Sequence, residues 1–223
     1  MTLAAATTVL LKELRCEFRT RELLNTTVVF VLIVVVLFSF TFDPTDAEAR
    51  RFGPGLLWIA FLFAGSLMLN PSFAREQAND TLYALRLAPV PPFAILLGKL
   101  AANFLLLMLA EAMLLPVFGV LYRVQILPVL DRLLLVMLLG TLGMTITGTV
   151  FSAIAAQARM RELLLPLLLL PVLTPVLVAS VECTAGLLAE TPEMRTEWLQ
   201  MLIGFDVIFL TASYFIFEHL AEE

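Results

Sequence analysis

Six stretches of this chain, at roughly residues 26–42, 55–70, 92–121, 126–156, 163–185 and 198–217, are apolar over lengths comparable to the thickness of a lipid bilayer. An α-helix rises about 1.5 Å per residue through a hydrocarbon layer about 30 Å thick, so about 20 apolar residues make one crossing. The second stretch is short and the third and fourth are long. Tilt, a kink at Pro116 or an interfacial start at Pro92 would absorb the differences. With 61% hydrophobic and only 15% charged residues in 223, a soluble fold would have no interior large enough for the apolar surface. A mean hydropathy of +0.97 says the same.

A membrane β-barrel would show segments of about ten residues with alternating faces. Runs such as Leu163-Leu164-Leu165 and Leu167-Leu168-Leu169-Leu170 have no alternation, so the sequence predicts an all-α integral membrane protein, one bundle over residues 1–223. The first apolar run begins only after about 25 residues, and no small-residue cleavage pattern follows Phe42-Asp43-Pro44. It is expected to remain as a span rather than to be removed as a signal peptide.

An even number of spans puts both termini on one side. With the N-terminus inside, Lys12, Arg15, Arg19, Arg21, Arg75, Arg86, Lys99, Arg159 and Arg161 are inner, against Arg50, Arg51, Arg123, Arg132 and Arg195 outside. The excess of inner cations predicts cytoplasmic termini. The net charge of -5 argues against a broad basic surface for nucleic acid or anionic lipid, so no nucleic-acid partner is expected and membrane lipid is the surrounding medium.

Ahead of the first span, Leu10, Leu14 and Phe18 recur every four residues among Lys12, Glu13, Arg15, Glu17, Arg19 and Arg21. This predicts an amphipathic helix over 3–24 lying along the cytoplasmic surface. Between the second and third spans, residues 72–89 form the longest polar-containing inner connection, bracketed by Pro71 and Pro89. Leu82 and Leu85 share one helical face and Glu76 and Asp80 another, which suits a short protruding helix able to receive a mechanical push from a soluble partner. An ordinary interfacial loop fits the same pattern.

Ionisable groups within hydrocarbon need an explanation. Lys99 lies within about two turns of Pro92 and is expected to snorkel to cytoplasmic water. Glu111 and Asp206 form a candidate intramembrane polar site, read equally as structural hydrogen-bonding groups or as part of a transport path. Glu182 is expected at the outer interface. In the fourth span Gly140, Gly143 and Gly148, with threonines between them, predict close helix packing. In the fifth, Pro166, Pro171 and Pro175 predict a bent or broken helix. Cys16 and Cys183 are placed on opposite sides, so neither a disulfide nor a metal site is expected. His219, the one histidine, reads as part of an interfacial terminus. No nucleophilic, acid/base or metal-ligand constellation points to an enzyme, and no Walker A sequence is present.

The order of these features resembles the CcmB family, the membrane subunit of the ABC system for cytochrome c maturation. The resemblance rests on Leu14-Arg15-Cys16-Glu17-Phe18-Arg19, Gly53-Pro54-Gly55-Leu56-Leu57-Trp58, Phe73-Ala74-Arg75-Glu76 through Leu85-Arg86-Leu87-Ala88-Pro89, Gly98-Lys99-Leu100 and the proline-rich fifth span ending Leu173-Thr174-Pro175. It implies a six-span ABC-2 type permease in the bacterial inner membrane. The implied contact with an ATPase subunit, CcmA, falls on Arg75, Glu76, Asp80, Leu82 and Leu85. Asn79 and Asp80 stand where the family commonly has a glycine. The resemblance further implies CcmC-like and CcmD-like membrane subunits, a CcmE-like haem chaperone, ATP bound by the partner, and haem as cargo of the complex. Either haem export or release of the haem-loaded chaperone is the step being driven. Two alternatives stay open: an ABC-2 permease for a lipid, glycan or drug, and a scaffold of the haem-handling complex that transports nothing.

Overall fold

The computed structural model describes residues 2–41, 47–73, 91–156 and 161–222. Lipid offers no hydrogen bonds to a backbone, so each crossing segment satisfies its own amides and carbonyls as a helix. The helices are α1 (Thr2–Thr20), α2 (Glu22–Thr41), α3 (Ala47–Leu69), α4 (Pro92–Leu121), α5 (Leu130–Ala156), α6 (Arg161–Leu187) and α7 (Thr196–Glu222), with one 3-10 turn at Leu127–Val129 before α5. Among the described residues six stretches are long and apolar enough to cross a membrane, Glu22–Phe40, Arg51–Phe73, Pro92–Leu121, Leu127–Ala155, Leu167–Leu187 and Thr196–Ile216.

The spans fall where hydrophobicity places them, with two differences. The second is longer than the apolar run suggested, because α3 continues through Pro54; a built Cβ on the neighbouring Gly53 would lie 3.4 Å from the Phe118 ring, so packing supports that turn. The fifth does not break at its prolines, and α6 is one helix from Arg161 to Leu187. Each proline removes one amide donor without blocking the helical path on either side. The Thr174 hydroxyl donates to the Leu170 carbonyl at 2.8 Å within the same stretch.

Of the six spans α5 is the most enclosed and α2 the least. The reason is written along α5 in small residues. A Cβ on Gly140 would fall 2.3 Å from the Trp58 ring and 2.6 Å from the Ser180 hydroxyl, and one on Gly148 would fall 2.3 Å from Leu69. A Cβ on Gly143 would fall 2.8 Å from the Asp206 carboxyl and 3.2 Å from Val176. Three glycines thus admit α3, α6 and α7 to one central helix at backbone range. Trp58 fills the space between α3 and α6 and donates from Nε1 to the Thr184 hydroxyl at 2.9 Å. On α2, by contrast, Val29, Ile33, Leu37 and Phe40 are exposed, as expected of a face turned to lipid.

One end of the bundle carries α1, the last residues of α3 and the start of α4. The C-terminal half of α7 reaches the same end, where Tyr214 meets Phe93 edge-on at 4.8 Å. The two termini therefore share an end.

Gly140→Ala is expected to destabilise the bundle by about 1–3 kcal/mol through overpacking against Trp58. Gly204→Ala, which meets nothing within 4 Å, should be neutral or slightly stabilising. Thermal unfolding of the two variants in one detergent separates a packing constraint from a general intolerance of alanine.

Candidate functional site

Buried polar side chains gather in two places. The first lies at the end of the bundle that carries the termini. Gly98 lets α1 lie directly on α4, since a Cβ there would sit 2.7 Å from the Ala6 carbonyl and from the Val9 Cβ. Lys99, the next residue, is consequently covered and only 1% exposed. It does not snorkel to water, because the packed α1 replaces that water with a carboxylate. Its Nζ lies 2.9 Å from Glu13 Oε1 and donates to the Ser72 carbonyl at 2.7 Å. The Phe73 ring centroid is 4.7 Å away, within cation–π range.

Asn103, one turn along α4, donates to the Ser72 hydroxyl at 3.1 Å and to the Thr149 hydroxyl of α5 at 3.0 Å. Four elements therefore meet at this node: α1, residues 70–73, α4 and α5. A cavity of about 20 Å³ between Glu13, Glu17, Ser72 and Asn103 has room for a single water among polar partners.

Glu17 fixes the corner between α1 and α2. It is buried, and its Oε1 accepts from the Leu24 amide at 2.9 Å, satisfying one of the donors left open in the first turn of α2. Arg21 turns the chain with a φ of 55°, and its amide donates to the Glu17 carbonyl at 2.6 Å. The side of α1 facing the bundle is thus Ala6, Val9, Glu13 and Glu17, whereas Leu11 and Phe18 remain exposed. The sequence pattern put Leu10, Leu14 and Phe18 on one apolar face of a surface-lying helix. Of these, Leu14 packs onto the core and Phe18 does not. The signal for Glu13 and Glu17 was their four-residue spacing on one face, opposite a lysine that follows a glycine.

Burial alone would raise the Glu13 carboxyl, but the Lys99 ammonium, aided by Lys12 at 3.0 Å, outweighs it and holds the group below its ordinary value. A carboxylate lowered in this way contributes stability above its unfolded value, and that contribution fades as pH falls through the folded one.

The second place is within the span. Both Glu111 oxygens accept from the Thr141 hydroxyl of α5, at 2.9 and 2.7 Å. The Asp206 carboxyl lies against α5 at Gly143, and neither of its oxygens has a hydrogen-bond partner among the described residues. Thr141 and Gly143 are two positions apart, about 200° around a helix. Glu111 and Asp206 accordingly occupy opposite faces of α5 and are not brought together.

Arg75, Glu76, Asp80, Leu82 and Leu85 lie outside the described residues, and so does the rest of 74–90. What is described is the root of that connection, Ser72 and Phe73, fastened to Lys99. Glu182 pairs with Arg195 at the opposite end of the bundle. Cys16 is exposed and Cys183 buried, both as free thiols. Among the described residues no group of three or more His, Cys, Asp or Glu side chains is arranged to hold a metal ion.

The family model "CcmB protein" matches residues 4–222. The chain is 33% identical over 171 residues to the heme exporter protein B of Pseudomonas aeruginosa, covering 76% of this chain and 75% of that protein. It is 32% identical over 197 residues to the heme exporter protein B of Rhodobacter capsulatus, covering 86% and 87%. To that of Paracoccus denitrificans it is 32% identical over 173 residues, covering 78% and 79%.

Glu13→Gln removes the carboxylate that the buried Lys99 ammonium contacts. A loss of roughly 3 kcal/mol is expected, the low end for breaking a buried pair, because Glu13 keeps 24% of its side chain exposed. Adding Lys99→Met should recover most of it. Melting curves run from neutral pH down through the carboxylate range should show wild type and Glu13→Gln converging at the acid end.

Proposed function

The chain belongs to the CcmB family, and from that premise we propose that it is the permease subunit of an ABC system for cytochrome c maturation, set in the bacterial inner membrane with both termini cytoplasmic. It is a non-catalytic subunit. ATP is bound and hydrolysed by a CcmA-like partner, with CcmC-like and CcmD-like membrane subunits beside it and a CcmE-like chaperone receiving or releasing haem. The names of its relatives, as heme exporters, support haem as the cargo of the complex. The six-span bundle supports an ABC-2 type permease arrangement.

The observation that carries the mechanical reading is the Lys99 node. The connection over 72–89 is the proposed receiver of nucleotide-driven motion, with Arg75, Glu76, Asp80, Leu82 and Leu85 against the ATPase. Its root, at Ser72 and Phe73, is bound to Lys99 and Asn103 of α4, and Lys99 in turn contacts Glu13 of α1. A push on the connection therefore acts on α4 and α1 together, and through Asn103 and Thr149 on the central α5. Rigid contact of this kind is what converts closure of a soluble engine into movement of spans. Glu111 of α4 and Asp206 of α7, packed on opposite faces of α5, would respond to such movement separately.

The triple variant Glu76→Ala, Leu82→Ala, Leu85→Ala is expected to weaken co-purification with the ATPase subunit roughly tenfold or more, the effect of losing anchors at an interface. Haem-stained c-type cytochromes should fall with it in a strain carrying only this copy. Unchanged association together with unchanged permease-dependent ATPase activity would remove the proposed interface.

A further inference from the structure

We infer that the end of the bundle opposite the termini carries a binding site for an oxyanion on an apolar body, that is, a carboxylate- or phosphate-bearing amphiphile. For a porphyrin ligand the inference rests on the cargo proposed above; for a lipid headgroup it stands apart from it, and the test separates the two.

A cleft of about 850 Å³ opens there between the start of α3, the end of α4, the turn before α5, the end of α6 and the segment before α7. Its size falls in the range of small-molecule sites, about 300–1,000 Å³. Phe118, Val129 and Leu187 supply apolar wall, and Arg51, Arg123 and Arg195 line the cleft from three separate segments, together with one acid, Glu190. Arg195 is already paired with Glu182. Arg51 and Arg123 make no ion pair among the described residues. All three arginines are exposed at the cleft, where guanidinium forks match carboxylate and phosphate oxygens.

Arg123 adds a second argument. It has a φ of 51° at the position that closes α4, where the Val124 amide donates to the Gly119 carbonyl at 3.0 Å and the Arg123 amide to the Val120 carbonyl at 3.4 Å. This is the helix stop that glycine fills with least strain, because a β-carbon is disfavoured in the left-handed region. Arginine there is unfavourable for the fold, yet its guanidinium lines the cleft. A costly backbone position kept by a cation at a cavity is the pattern of a ligand clamp.

The test uses the full chain purified in a neutral detergent. Native mass spectrometry measures retention of phosphatidylglycerol against phosphatidylcholine, and fluorescence titration compares protoporphyrin IX, a free dicarboxylate, with its dimethyl ester. At least one anionic probe should bind roughly tenfold or more tightly than its counterpart without net charge, as charge-assisted hydrogen bonds require. Preference for phosphatidylglycerol alone assigns a lipid headgroup; preference for the porphyrin acid alone assigns a free amphiphile. Arg51→Gln with Arg123→Gln should abolish the preference. Arg123→Gly should weaken anion binding while leaving the melting temperature unchanged or higher, an outcome that a purely structural arginine would not give. Equal binding of the net-anionic and net-neutral members of both probe pairs, or full anion binding by Arg123→Gly, overturns the site.

Discussion

Hydrocarbon gives apolar helices no reason to leave it for one another, so a bundle in a membrane is held by close backbone approach and by a few polar contacts. Here that constraint converges on α5. Gly140, Gly143 and Gly148 hold three other helices at distances no side chain would allow, and Trp58 to Thr184 bridges two of those neighbours. With α5 fixed, the remaining geometry follows. Lys99 and Asn103 tie Ser72, the root of the connection between α3 and α4, to α4 and α5, and the packing of α1 at Gly98 completes the burial of Lys99.

The spans were legible because hydrophobic length is a one-dimensional property that each helix carries alone. The glycine face of α5 was legible for a similar reason, since small residues at close helical spacing have few other uses in lipid. Lys99 was misread because snorkelling is judged from depth along one helix. Its burial depends on α1, a helix remote in sequence that hydropathy alone places at the surface. The same non-locality hid Glu13 and Glu17, which look like solvated charges until α4 is set beside them. The unbroken α6 shows the opposite limit: three prolines signal lost donors, but whether the path breaks depends on what holds the turns on either side.

The two intramembrane acids illustrate how position on a helix outweighs depth in it. Sequence placed Glu111 and Asp206 in the same hydrocarbon and left their relation open. A step of two residues on α5 puts a helix between them. Glu111 is tethered by a hydroxyl, whereas Asp206 lies against a glycine that offers no side chain to hold it. One acid is anchored, and the other has no hydrogen-bond partner among the described residues.

The corner at Arg21 joins α1 to α2 with little slack. Glu17 bonds across it with both its carbonyl and its carboxylate, so α1 and α2 act as the two arms of a bent lever. One arm lies on α4 beside Lys99. The other is the least enclosed helix in the bundle, with most of its surface in lipid. On the mechanical reading proposed above, a motion that reaches α1 is also felt by the bilayer, whose lateral pressure and thickness become part of its load.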